Sequence, residues 1–468
     1  MNKTVRRPVE ALRLPRMPPS PTAALLADAA RRAAAYLDGL DGRPVAPSPD
    51  AVAALGALDV PLPEAPADPA DIVEELDRRV SPATMAMAGP RFFGFVIGGA
   101  LPATVAASVL ATAWDQNSAK WAVTPGTAAI EKVALRWTLE ALGLPRAAAG
   151  GFVTGATVAN FTALAAARHA VLARAGWDVE ARGLFGAPPV TVVVGAEAHV
   201  SLLKALAMLG LGRERVATVP VDGQGRLRPD ALPPLRGPAI VCLQAGNVNT
   251  GAFDPAPPVI ARAREAGAWV HVDGAFGLWA AASPRRAHLA AGIADADSWA
   301  TDAHKWLNVP YDSGLAIVRD EAALRAAMGV SAAYLPEGGE RDPADSTPEL
   351  SRRARGVEVW AALRTLGRAG LAGLVERTCR HAARFAEGLS AAGHRVLNEV
   401  VLNQVLVSFG DDERTRRVIA GIQADGTCWC GGTIWQGKTA MRISVSSWAT
   451  TDDDVERSLA AMLRVARA

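Results

Sequence analysis

With 468 residues, half of them hydrophobic and 21% charged, the chain is long enough for two or three domains around sizeable cores. The formal net charge is only +2 and basic runs such as RRAR at 352–355 are short, which argues against a nucleic-acid partner. The four cysteines, Cys242, Cys379, Cys428 and Cys430, make no CxxC pair and fit no common zinc spacing, so no metal is expected and reduced thiols in a cytoplasmic enzyme are.

Residues 1–22 are rich in Pro and Arg and lack an apolar h-region, so they read as an extended arm and not as a signal peptide. No apolar run reaches transmembrane length. An Ala/Leu-rich helix is expected over 22–40, an irregular proline-broken connection over 41–70 and a short helix over 71–80. The stretch PRFFGFVIGGALP at 90–102 opens the main domain, and its aromatic residues Phe92, Phe93 and Phe95 suit either a core cluster or a pocket wall. At 151–168, GFVTGATVANFTALAAAR reads as a strand, a turn at Gly155 and a helix with apolar residues in helical register. Free N–H groups and small side chains at such a helix start favour an anion.

A strand at 190–195 and a helix at 197–209 follow, with His199 at the helix start. The run IVCLQAGNVNTGAFDP at 240–255 is a strand entering a polar turn. Strand-plus-helix units recur from about 150 to 320, which implies a mostly parallel α/β core. Residues 329–353 form a polar, Pro/Gly-rich loop, and from 351 helices at 357–390 precede strands at 400–409 and 441–446. Arg442 lies on the last strand; Trp429 and Trp435 either rim a pocket or pack.

Two stretches carry chemistry. AWVHVDGAF at 268–276 ends a strand on Asp273, and an acid at the carboxyl end of a buried strand faces the crevice where open α/β sheets bind ligands. DSWATDAHKWLNVPYDSG at 297–314 places Lys305 between His304 and Trp306 beside an apolar run. A solvated lysine would snorkel there; a desolvated one would attack a carbonyl and form a Schiff base. Pyridoxal 5'-phosphate needs both groups, an amine for its aldehyde and a carboxylate that keeps its ring nitrogen protonated. A nucleotide-binding alternative is poor, because GATVAN is not GxGxxG and no GK[ST] occurs.

HVDGAFG followed by the HKW stretch resembles the pyridoxal-phosphate-dependent group II decarboxylases, which include aromatic amino acid, glutamate, histidine and 2,4-diaminobutyrate decarboxylases. The resemblance spans roughly 90–448 and implies the aminotransferase-like fold type I. It implies an N-terminal arm and helical segment at 1–89 that packs in a homodimer, a large α/β domain at 90–350 and a small C-terminal α+β domain at 351–468. It assigns the cofactor amine to Lys305, the ring-nitrogen partner to Asp273 and the stacked imidazole to His199. Further cofactor contacts carried over are Gly155, Ala156, Thr157, Asn247, Ala275 and His304. Phe93, Phe95, Val96, Asn117, Tyr334 and Arg442 are carried over as substrate contacts at a site shared between subunits.

Four departures accompany the resemblance. Asn247 replaces a phosphate-binding threonine. Asp302 replaces an asparagine and is expected to turn to backbone groups. Gly98 stands where aromatic decarboxylases contact the substrate ring, which weakens a catechol or indole substrate. The mobile-loop tyrosine that returns a proton to the substrate is missing near Pro343, with Tyr334 some nine residues upstream. The expected function is decarboxylation of an L-amino acid to its amine. The alternatives are an oxidative, aldehyde-forming reaction, a carbon–carbon lyase, an aminotransferase or a non-catalytic pyridoxal-phosphate-binding protein.

Overall fold

The computed structural model describes residues 20–330 and 340–468. Tyr334 and nearly all of the expected N-terminal arm therefore lie outside the described residues. The chain divides into two units, one of residues 1–43 and 47–85, the other of 44–46 and 86–468.

The first unit contains helices Pro21–Asp38, Pro49–Ala53 and Pro69–Arg79. Each starts with a capping side chain followed by proline: Ser20, Ser48 and Asp68 accept from the backbone N–H of Ala23, Ala51 and Ala70. Proline suits the first helical position because its missing N–H would have no intrahelical partner there. This corrects the irregular connection expected over 41–70, because Pro49 starts a helix that runs on as a 3₁₀ turn, Ala54–Leu58. Arg32 bridges Asp28 and Asp77, tying the first helix to the third.

The second unit is built on a seven-stranded sheet. Its strands are β1 (Ala149–Val153), β2 (Thr191–Gly195), β3 (Ala217–Val219), β4 (Ala239–Gln244), β5 (Trp269–Asp273), β6 (Ser298–Asp302) and β7 (Gly314–Val318). The order is β1-β7-β6-β5-β4-β2-β3, and only β7 runs against the others. β1, β5, β6 and β7 are buried along their whole length, as strands covered on both faces must be.

A second, antiparallel sheet comprises β8 (Arg395–Val396), β9 (Gln404–Ser408), β10 (Gly431–Trp435) and β11 (Lys438–Ser444) in the order β10-β11-β9-β8. Its core includes Val405, Val407, Met441 and Ile443 with Phe385 and Leu389 of the helix Gly356–Ala391. The 91–93 segment joins this layer through backbone bonds from Phe93 N–H to Trp429 O, Trp429 N–H to Arg91 O and Ser444 N–H to Phe93 O. Buried ion pairs pin residues 342–352: Asp342 takes Lys120 at 2.9 Å, and Glu131 takes Arg352 through two bonds of 2.8 and 2.7 Å.

Candidate active site

Because β1, β2, β4, β5 and β6 are parallel, their carboxyl ends share one edge of the sheet. That edge gathers the Gly155 turn after β1, His199 after β2, Asn247 after β4, Asp273 ending β5 and Lys305 after β6. The reversed β7 starts there too, with Gly314 opposite both Val153 and Asp302. A side chain at Gly314 would come within 2.5 Å of the Gly155 Cα, so the close approach of the two turns requires glycine.

Lys305 is set by its flanks. Trp306 is fully buried and donates to Thr378 Oγ1 at 2.9 Å. Asn308 donates to Trp306 O and Ser446 O and accepts from Trp448 N–H, which closes the loop after the lysine. A methyl group at Gly98 would lie 1.9 Å from the Lys305 carbonyl oxygen. Gly98 therefore answers to the lysine backbone. Gly98→Ala is expected to destabilise the protein by about 3 kcal/mol, read as a lower denaturant midpoint.

The lysine ammonium lies 2.9 Å from Asp302 Oδ2, with the carboxylate almost wholly buried. Asp302 Oδ1 accepts from Ala156 N–H at 2.5 Å. The expected turn of Asp302 to a backbone group is present; its ion pair with Lys305 was not anticipated. The first N–H groups of the helix Ala156–Arg174 have no intrahelical carbonyl, and Asp302 occupies only that of Ala156. Those of Thr157 and Val158 remain for an anion. A Cβ at Gly155 would stand 3.1 Å from His304 Cε1, a tight fit. His304 Nδ1 accepts from Ser313 N–H at 3.1 Å, and its ring stacks on Tyr311 at 4.2 Å, a partner the sequence did not suggest. Burial lowers the His304 pKa, so the neutral ring carries its proton on Nε2.

Asp273 is buried and forms no ion pair within 4 Å among the described residues. It accepts from Asn160 Nδ2 at 3.1 Å and from Ala275 N–H at 3.2 Å. Burial pushes its pKa up, while His199, Lys305 and these hydrogen bonds pull it down. His199 caps the helix Val200–Met208, and its Nδ1 accepts from Ser201 N–H. Burial lowers the His199 pKa, Asp273 raises it, and Lys305 and Arg442 lower it further, so four expected site residues share one electrostatic neighbourhood.

Asn160 and His271 were missed. Asn160 is a fully buried polar residue one turn into an Ala-rich helix, and His271 sits two residues before Asp273 on the same face of β5. Burial holds His271 down at about 3. The folded state therefore refuses a proton that the unfolded chain accepts below pH 6.5. The stability contributed by this neutral histidine is full above that pH and declines as pH falls toward 3. Between pH 7.5 and pH 5 the loss is about 2 kcal/mol, and His271→Gln is expected to remove it from urea-unfolding curves.

The other expected contacts are less uniform. Phe93 is 1% exposed and packs edge-on against Phe385, so it belongs to the core and does not line a pocket; Phe92 stacks on Trp429. Val96 is also buried, whereas Phe95 is 57% exposed. Both have positive φ, 54° at Phe95 and 61° at Val96, unusual above all for β-branched Val96. Asn117 spends its amide on Ser351 Oγ and Arg352 N–H. Asn247 Oδ1 closes a turn with Asn249 and Thr250, and its buried Nδ2 has no partner among the described residues. Trp435 is buried and packs with Leu406 and Ala440. Arg442 is largely buried, donates to Val248 O at 3.3 Å and has no ion pair among the described residues.

This donor set fits pyridoxal phosphate. An amine is held at the strand edge, a buried carboxylate lacks a cation, and free N–H groups and a glycine turn stand where a phosphate needs them. The family profile described as "Pyridoxal-dependent decarboxylase conserved domain" matches residues 51–410. An L-2,4-diaminobutyrate decarboxylase of Rhizobium meliloti is 30% identical over 87% of this chain and 84% of its own length. An aromatic-L-amino-acid decarboxylase of Bacillus atrophaeus is 28% identical over 76% and 74%. The crystal structure of Oryza sativa TDC with PLP and tryptamine superposes with a TM-score of 0.88 at 23% identity, covering 95% of this chain and 97% of that one. Site chemistry, profile and relatives agree, and the chain belongs to the pyridoxal-phosphate-dependent decarboxylases.

Proposed function

We propose that the protein decarboxylates an L-amino acid at Cα and releases the corresponding amine. The observation that carries this reading is the shared edge of Lys305, Asp273 and His199 at the carboxyl ends of β6, β5 and β2. Bound there, pyridoxal phosphate supplies an electron-poor ring that accepts the pair released from the breaking Cα–carboxylate bond. Lys305 presents its amine to the aldehyde, and Asp302 holds that amine in place at 2.9 Å. Asp273 holds a proton at the ring nitrogen. Thr157 and Val158 offer N–H groups to the phosphate, with the His304 Nε2–H and the unpartnered Asn247 amide as further donors. His199 covers the ring with its proton on Nε2, because Ser201 N–H occupies Nδ1. Arg442, partly buried with one carbonyl partner, anchors an anionic group of the substrate.

The first unit supports a homodimer. Its three helices bury none of their residues and expose Leu26, Leu37, Val52, Ile72 and Leu76. Sedimentation at about twice the 48.6 kDa chain mass checks this. Among the described residues no helix is long and apolar enough to cross a membrane, and all four cysteines are free and buried, in keeping with a cytoplasmic enzyme.

Mass-spectrometric analysis of products from the common L-amino acids, with and without oxygen, tests the reaction. An amine that has lost CO₂ and forms equally without oxygen is expected. A carbonyl product that requires oxygen would replace this reading with the oxidative one.

A further inference from the structure

A run of hydrogen bonds leads away from Asp273 through the sheet. Asn160 Nδ2 donates to Asp273 Oδ2 at 3.1 Å. His271 Nε2 lies 2.8 Å from Asn160 Oδ1, and His271 Nδ1 lies 2.9 Å from Ser298 Oγ. Trp269 Nε1 donates to that same hydroxyl at 2.9 Å. Asn160, His271 and Ser298 are fully buried. The arrangement follows from the fold: Trp269, His271 and Asp273 alternate along one face of β5, and Ser298 is the register partner of His271 on β6.

The directions follow by elimination. An indole N–H can only donate, so Ser298 Oγ accepts from Trp269. The Ser298 proton then has one acceptor among the described residues, His271 Nδ1. Once that nitrogen accepts, the imidazole proton sits on Nε2 and goes to Asn160 Oδ1. The amide is left with only its N–H side for Asp273. The reversed run would put a proton on Nδ1, flip the amide and aim its oxygen at the carboxylate. That arrangement strands the buried Ser298 proton and is tolerable at the other end only if Asp273 is protonated. The intact run therefore goes with an ionised Asp273 and the reversed run with a neutral one.

We propose that His271, locked as the Nε2–H tautomer by Ser298 and Trp269, is a positioning residue that acts through Asn160 to keep Asp273 ionised and able to hold a proton on the cofactor ring nitrogen. The inference rests on the ring-nitrogen role given to Asp273 above. Burial keeps His271 uncharged, so the ring has one proton and a single direction to impose.

The test is a binding comparison on the cofactor-free full chain, using pyridoxal phosphate and its deaza analogue, in which the ring nitrogen is a C–H group. The ratio of the two dissociation constants reads the ring-nitrogen contact, whereas general damage to the pocket weakens both ligands alike. The native chain is expected to prefer pyridoxal phosphate, and Asp273→Ala to lose that preference. His271→Phe and the milder Ser298→Ala are each expected to shrink the ratio, by about tenfold for the former. His271→Gln, which keeps an N–H for Asn160, is expected to restore most of it. An unchanged ratio in both His271→Phe and Ser298→Ala, with the ratio lost in Asp273→Ala, overturns the relay and leaves Asp273 in its role. Should His271→Phe not fold, an unchanged ratio in Ser298→Ala alone overturns it. A ratio that survives Asp273→Ala overturns the role of Asp273 and the relay with it.

Discussion

Lys305→Ala removes turnover, with an expected fall of at least about 10⁴-fold in kcat, because among the described residues no other amine is held beside Asp302 to replace it. The same substitution also costs stability. Asp302 is 3% exposed and loses the lysine that is its cation among the described residues, which leaves a buried carboxylate uncompensated and is expected to destabilise the cofactor-free protein by about 3 kcal/mol. A second change separates the two effects. Asp302→Asn in the Lys305→Ala background removes the stranded charge and is expected to recover most of the stability and none of the activity. Denaturant melts and product assays on the single and double variants check both parts. Recovery of neither stability nor activity would mean that the ion pair is not what steadies the turn after β6.

Asp273→Asn gives the opposite pairing of effects. Turnover is expected to fall by about 10²–10³-fold, the usual loss when one preorganised electrostatic group is removed from a site. Stability of the cofactor-free protein is expected to hold or rise. The carboxylate is desolvated, its pKa is pushed up by burial, and its hydrogen bonds from Asn160 and Ala275 only partly offset that. A neutral amide at the same place avoids the desolvation cost. Pyridoxal phosphate should then raise the melting temperature of the native chain more than that of the variant, because only the native chain gains a partner for its buried charge. Thermal melts with and without cofactor measure that difference.

Those two residues were legible because each combines an unusual residue type with a strong local pattern. A carboxylate closing the strand WVHVD and a lysine wedged between His304 and Trp306 stand out without knowledge of tertiary contacts. The alternation of strands and helices likewise foretold the parallel sheet. Phe93 did not announce its place. Its ring is turned into the core by backbone bonds to residues more than 300 positions away, Trp429 and Ser444. Asn160 looked like one polar residue in an alanine-rich helix, and only the fold shows it facing Asp273. Gly98 carries a packing constraint that the sequence hid for a related reason. Its meaning lies in the carbonyl oxygen of Lys305, which is far away in sequence and adjacent in space. Pattern reading finds groups whose chemistry is local; it misses those whose partners arrive from another segment.

The reversed strand β7 has a consequence for how the protein comes into being. Among the described residues β1 has no sheet neighbour other than β7, so residues 149–153 wait for 314–318 before they gain a strand partner. The turn that follows β1 and the lysine that follows β6 are thus joined by a late, long-range closure, the slow kind of contact to form. On a ribosome adding about 5–20 residues per second, that interval lasts on the order of ten seconds. Cofactor capture is then expected only once β7 has docked, as a seal on the completed sheet and not as a seed for its assembly.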